Sequence, residues 1–113
     1  MDCIFCKIIA KQIPSKIVFE NDDVLAFRDV NPAAPVHILI VPKRHIGGIE
    51  TVTDTDNMLL GQMQNIIRTL AVKEHIDKSG YRVVVNSGPD SGQAVGHLHY
   101  HLLGGRKGSK EIF

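Results

Sequence analysis

The spacing of hydrophobic residues predicts two helices of very different length. Near the amino terminus, apolar residues recur at intervals of one and four and suit a short amphipathic helix that ends at Pro14: Ile4, Phe5, Ile8, Ile9 and Ile13. A longer stripe follows the i, i+4, i+7, i+8, i+11 rule and comprises Leu59, Met63, Ile66, Ile67 and Leu70. Thr53 with Asp56 three residues later forms a capping-box variant, so we expect the long helix to begin at Thr53.

Runs of β-branched and aromatic residues predict five strands between and after these helices. They cover residues 18–19, 24–27, 36–41, 81–85 and 95–103, and the fourth reads as a buried strand. Turn-forming residues separate them at 20–23, 31–35 and 86–92, and the third strand stops at Pro42. Short connections favour antiparallel pairing. The pattern therefore predicts an α+β fold with a five-stranded antiparallel sheet, one long helix and a short amino-terminal helix.

Length and composition predict one folded domain over residues 1–113. The chain is 43% hydrophobic and 22% charged, which is too apolar for a disordered chain. A chain of 113 residues leaves much of its surface in water, and Gly61 inside the long stripe costs about 1 kcal/mol relative to Ala. Both features favour a close contact with a second copy.

Charge and hydropathy exclude several partners. A net charge of +1 without a block of like charges is not typical of a nucleic-acid-binding protein. No apolar run approaches the ~20 residues that span a bilayer, and the amino terminus lacks the pattern of a secretory signal. We therefore expect a cytoplasmic protein that binds neither nucleic acid nor a membrane.

The most informative motif is HLHYHLL, which places three histidines in five positions. Alternation along a strand puts His97, His99 and His101 on one face and the apolar residues on the other. Rings about 7 Å apart could give one metal ion two ligands but hardly three. Imidazoles that titrate near pH 6.5 can instead divide nucleophilic and acid–base roles along a substrate, as phosphoryl chemistry requires.

This motif has the His-apolar-His-apolar-His-apolar-apolar pattern of the histidine triad (HIT) family of nucleotide hydrolases and transferases. The chain resembles its nucleoside phosphoramidase branch, the histidine triad nucleotide-binding proteins, over nearly its whole length. The resemblance extends through the segments CIFCKIIAKQIPSKIVFE, LAFRDVNPAAPVHILIVPKRH and YRVVVNSGPDSGQAVGHLHYHLLGG. It implies a homodimer whose two sheets join into ten antiparallel strands.

The resemblance also implies an activity, which is hydrolysis of purine nucleoside 5′-phosphoramidates and related phosphoanhydrides to nucleoside monophosphate. His99 would be the nucleophile that forms a nucleotidyl-histidine, and His101 would protonate the leaving amine. His37 and His97 would support this relay, although His37 by itself reads as a core histidine. Two alternatives remain: a nucleotide-binding regulatory module, and a dinucleoside polyphosphate hydrolase.

Nucleotide-binding positions follow from the same match. Asp29 would hold the ribose hydroxyls. An apolar slot for the base would consist of Phe5, Ile8, Phe27, Val30 and Leu39, residues that otherwise read as ordinary core. The phosphate would be held by Asn86 and by the turn formed by Gly92, Gln93 and Ala94.

Cys3 and Cys6 form a CxxC pair that allows zinc binding, inert thiols or redox chemistry. In the bacterial-type members that this chain resembles, such a pair is half of a structural zinc site. His45 and His97 would then complete the site, which leaves His99 and His101 for chemistry. We expect no catalytic metal and no organic cofactor.

Overall fold

The computed structural model describes residues 3–108 of the predicted domain; residues 1–2 and 109–113 lie outside it. Two α-helices and five strands occur in the order α1 (Ile4–Ile9), β1 (Ile17–Glu20), β2 (Val24–Arg28), β3 (Val36–Pro42), α2 (Asn57–Lys73), β4 (Tyr81–Val85) and β5 (Tyr100–Gly104). Short 3-10 turns lie at Ile49–Thr51, Asp54–Asp56 and Pro89–Ser91. Within these described residues, no helix has the length and apolar character needed to cross a membrane.

The strands form one antiparallel sheet in the order β1-β2-β3-β5-β4, which confirms the predicted α+β class. Alternate residues of β2, β3 and β5 face α2 on one side of the sheet. Residues of this main core include Val24, Ala26, Ile38, Ile40, Met63, Ile67, Leu70, Leu98, Tyr100 and Leu102. The opposite side packs against α1 and carries a second cluster of Cys3, Phe5, Ile8, Leu25, Phe27, Leu39 and Val41.

Both predicted helices exist, with different boundaries. The short helix ends at Ile9, well before Pro14, and Lys11 then adopts a positive φ of 63° that turns the chain. The long helix begins at Asn57, because a 3-10 turn follows Thr53. The Thr53 amide still donates to Asp56 Oδ2 at 3.0 Å, so the predicted pair orders this turn.

Two strand predictions need correction. Strand β4 is an edge strand, and Tyr81 and Val83 are 40% and 39% exposed, so it is not buried as predicted. The last strand begins at Tyr100 instead of residue 95. Pro42, which faces that segment, has no N–H to donate, and its carbonyl accepts a hydrogen bond from the His97 ring, so the ladder stops there.

Gly61 has no close neighbour within the described chain, and its predicted contact with a second copy stays a prediction. A Cβ built on it would meet nothing within 4 Å in the chain.

Candidate active site

The three histidines of the motif lie on the sheet face that carries α1, although only His101 belongs to β5. Phe5 of α1 packs edge-on against the rings of His97 and His99, with centroid distances of 5.9 and 5.1 Å. The His99 and His101 rings are 5.0 Å apart, closer than the spacing of about 7 Å predicted for a regular strand. Because the chain leaves the ladder before Tyr100, the His99 and His101 rings approach each other more closely than regular alternation allows.

The hydrogen bond of His99 leaves one nitrogen available for attack. Its Nδ1 lies 2.7 Å from the backbone carbonyl of His97, and a carbonyl can only accept. Nδ1 therefore carries the proton, and Nε2 keeps its lone pair. The ring is 5% exposed, so it is held in place by its surroundings. This is the tautomer that an imidazole nucleophile requires.

His37 and His101 form a hydrogen-bonded relay beside Asp29. The Ala33 amide donates to His37 Nδ1 at 3.0 Å, so neutral His37 carries its proton on Nε2. That Nε2 lies 2.9 Å from His101 Nδ1 and 3.5 Å from Asp29 Oδ2. His101 Nδ1 thus accepts, and the single proton of His101 resides on Nε2.

Burial favours the neutral form of these rings. It lowers the pKa of His101 to about 4, with His99 and His37 adding repulsion and Asp29 opposing the shift. Burial likewise lowers the pKa of His37, again against the attraction of Asp29. At neutral pH the relay of the substrate-free protein therefore holds one proton per ring, and His101 presents an N–H at Nε2 that can donate a hydrogen bond.

Asp29 and His37 also line a cleft of about 640 Å³. This volume is typical of a small-molecule site. Four of the five predicted base-slot residues, Phe5, Ile8, Phe27 and Leu39, are buried in the second cluster. Val30 lies in the cleft lining but is 86% exposed, so the chain alone does not place it in a closed apolar slot.

The predicted phosphate loop is held in shape by the Gln93 side chain. Its Oε1 accepts from the Gly88 amide at 2.9 Å, and its Nε2 donates to the carbonyls of Gly47 and Val95 at 2.8 and 3.0 Å. Gly92 adopts a positive φ of 81°, which lets the loop reverse direction after the 3-10 turn. Gln93 thus has a structural use that the sequence did not reveal, while Asn86 is half-buried and Ala94 is exposed on the same loop.

The CxxC pair meets the two histidines expected from the sequence. Cys6 Sγ lies 3.2 Å from His45 Nδ1 and 3.6 Å from His97 Nδ1, Cys3 Sγ lies 3.4 Å from His97 Nδ1, and the two ring nitrogens are 3.1 Å apart. Tetrahedral Zn²⁺ with bonds near 2.0–2.3 Å places its ligand atoms about 3.3–3.8 Å apart. The four residues therefore fit a structural zinc ion.

The tautomer of His97 agrees with this use. Its Nε2 lies 2.8 Å from the Pro42 carbonyl and must donate, so Nδ1 presents a lone pair toward the cysteines. Burial lowers the pKa of His97, which keeps that lone pair free. Asp29, His37 and His101 also gather ligand atoms within 4.8 Å. The Ala33 amide, however, leaves a proton on His37 Nε2, so this second group suits a relay better than a metal.

Several groups that organise the site are backbone atoms. Every residue type has these atoms, so the sequence does not indicate which ones take part. They are the carbonyls of Pro42 and His97 and the amide of Ala33. Arg106, which donates to the Ala33 carbonyl at 3.0 Å, is a further contributor that sequence reasoning missed. Arg106 directly follows Gly104 and Gly105, and this position after two glycines that favour a turn is the one sequence feature that could have indicated its role.

Comparison with known proteins identifies similar chains. The family model described as HIT domain matches residues 10–108. A 14 kDa zinc-binding protein of Zea mays is 48% identical over 106 residues, which cover 92% of this chain and 82% of the relative.

Two solved structures are also similar. A HIT family hydrolase from Legionella pneumophila superposes with a TM-score of 0.95 at 46% identity, covering 96% of this chain and 97% of the other. A histidine triad nucleotide-binding protein from Candida albicans gives 0.82 at 30% identity, covering 99% and 87%.

Proposed function

The chain belongs to the HIT domain family, and on that premise we propose that it hydrolyses purine nucleoside 5′-phosphoramidates, and related phosphoanhydrides, to nucleoside monophosphates. The observation that carries this proposal is the free Nε2 lone pair of His99, fixed by the bond from Nδ1 to the His97 carbonyl. It stands beside His101, which holds a proton on its own Nε2.

In the first step, His99 Nε2 attacks the α-phosphorus, forming an N–P bond while the bond from phosphorus to the leaving amine breaks. The negative charge of the bound phosphate favours the protonated form of His101, and that imidazolium gives its Nε2 proton to the amine as it departs and returns to the neutral ring. In the second step, water attacks the phosphorus of the nucleotidyl-histidine, His101 accepts a proton from the water, and His99 is released. Splitting the displacement in this way replaces one difficult step with two easier ones.

The surrounding residues supply binding. Asp29, in the cleft beside His37, accepts hydrogen bonds from the ribose hydroxyls, and its other oxygen is oriented by the Asn31 amide at 2.8 Å. Val30 covers the base, with Phe5 and Phe27 beneath it. Asn86 and the backbone amides of residues 92–94 hold the phosphate oxygens, where fixed N–H groups stabilise developing negative charge.

Three further properties complete the proposal. A single domain over residues 1–113 pairs with a second copy through its edge strand. Cys3, Cys6, His45 and His97 would hold Zn²⁺, which would stabilise the fold without taking part in the reaction. We also propose a cytoplasmic location, where reducing conditions keep Cys3 and Cys6 available as zinc ligands.

Turnover of an adenosine alkyl phosphoramidate tests the proposal. We expect His99→Ala to lower kcat by at least about 10³-fold, because no nucleophile replaces it. His75→Ala, which removes an exposed histidine outside the site, should retain full activity. Equal turnover by wild type and His99→Ala would refute the mechanism. Binding of nucleoside monophosphate without multiple turnover would instead favour a regulatory module.

A further inference from the structure

Arg106 touches the loop that determines the proton position in the relay. The guanidinium donates from Nη2 and Nε to the carbonyl of Ala33, at 3.0 and 3.3 Å, and from Nη1 to the Lys107 carbonyl at 3.3 Å. Ala33 is the residue whose amide donates to His37 Nδ1. One exposed side chain after β5 therefore fixes the backbone that faces the buried relay.

The chain geometry after β5 brings Arg106 to this loop. Gly105 has a positive φ of 89°, which turns the backbone sharply at the strand end. A Cβ built on Gly105 would lie 3.0 Å from Pro35 Cβ, so the turn also packs directly on the loop. The turn and the loop thus contact each other both through packing and through the two Arg106 bonds to Ala33.

The Ala33 amide decides between two arrangements of the relay. With this donor in place, the His37 proton must sit on Nε2, which makes His101 Nδ1 an acceptor and leaves the His101 proton on Nε2. If the loop moves and the amide is lost, His37 can carry its proton on Nδ1. His101 Nδ1 can then donate to His37 Nε2, and the His101 nitrogen that faces the leaving group loses its proton.

We propose that Arg106 is a positioning residue that sets the tautomers of His37 and His101 through the backbone of Ala33. Its expected kinetic effect rests on the hydrolase function proposed above, whereas its effect on the tautomers does not. Arg106 touches neither ring, so it acts only through the loop. Its role is to keep the His101 proton on Nε2, the nitrogen that faces the leaving group.

The primary test measures the ring tautomers of the substrate-free protein. Two-bond nitrogen–proton correlations in ¹⁵N-labelled protein distinguish protonation at Nδ1 from protonation at Nε2. We expect wild type to show His37 and His101 as Nε2–H and Arg106→Ala to show a mixture for both rings. Lys107→Ala removes a neighbouring positive charge from the same segment and should leave the wild-type pattern.

Kinetics then give a second readout. Arg106→Ala should lower kcat about tenfold with a smaller change in KM, because Arg106 contacts the Ala33 carbonyl and none of the residues proposed to bind the nucleotide. Added guanidinium should restore part of the loss, and Arg106→Lys should retain more activity than Ala. Unchanged tautomers in folded Arg106→Ala would overturn the proposal. Absence of hydrolysis by wild type would overturn the proposed function instead, and the tautomer measurement would still decide this inference.

Discussion

Each of the four buried or half-buried histidines in the site has at least one nitrogen committed to a fixed partner. The His97 and His99 rings donate to carbonyls, His37 accepts from the Ala33 amide, and His101 accepts from His37. A free imidazole could hold its proton on either nitrogen. These bonds therefore leave different nitrogens available on four identical side chains, as their proposed roles of metal ligand, nucleophile, relay member and acid require.

Burial of His101 has a consequence for stability as well as for catalysis. An unfolded histidine titrates near pH 6.5, whereas the pKa of folded His101 is about 4. Between these values the unfolded chain binds a proton that the folded chain excludes, so stability falls as pH falls. The contribution at pH 5, relative to pH 7.5, is at most about 2 kcal/mol.

The test is urea unfolding of wild type and His101→Asn at pH 7.5 and pH 5. We expect the variant to lose less stability on acidification than wild type does. His75→Asn is the matched control, because His75 is exposed and its positive φ of 61° suits Asn. An equal acid loss in wild type and His101→Asn would contradict the assigned shift.

At the level of elements, periodicity predicted which segments fold, and hydrogen bonding determined where they end. The stripe from Met63 to Leu70 and the alternation of Leu98, Tyr100 and Leu102 identified the main core correctly. The start of β5 was wrong, because the partner that stops the ladder is the Pro42 carbonyl, 55 residues away from His97. The exposed face of β4 was also missed, since an apolar run looks the same at the edge and in the centre of a sheet.

The CxxC pair ties three elements together. Cys3 caps α1 by accepting from the Cys6 amide at 3.4 Å, while His45 follows β3 and His97 precedes β5. A shared metal ion would cross-link these segments, and the free energy of binding would add to the free energy of unfolding.

Zinc content and thermal stability test this arrangement. We expect about one zinc per chain in wild type. Cys6→Ser should reduce that content sharply and lower the thermal midpoint by at least about 5 °C. Lys7→Ala, on the same helix, should keep the metal. Zinc near zero in wild type purified from metal-replete cells would exclude the site.

At the scale of the whole molecule, the two edge strands of the sheet differ in the regularity of their pairing and in the apolar side chains that they expose. Strand β1 pairs with β2 through an irregular register between Ile17 and Phe19, which disturbs a regular edge. Strand β4 pairs regularly with β5, and Tyr81 and Val83 expose apolar side chains on the face that α2 covers elsewhere. A regular, apolar edge invites pairing with another strand, and the same edge of a second copy would extend the sheet to ten strands.

Sedimentation of wild type and edge variants tests this pairing. Wild type should sediment at twice the 12.5 kDa chain mass, and Val83→Lys should shift it toward monomer, because an unpaired ammonium would be buried between the two copies. Ile17→Lys changes an equally exposed residue, 39% in both cases, on the other edge and should remain dimeric. A Val83→Lys variant that stays dimeric while Ile17→Lys dissociates would assign the interface to β1 and leave β4 exposed.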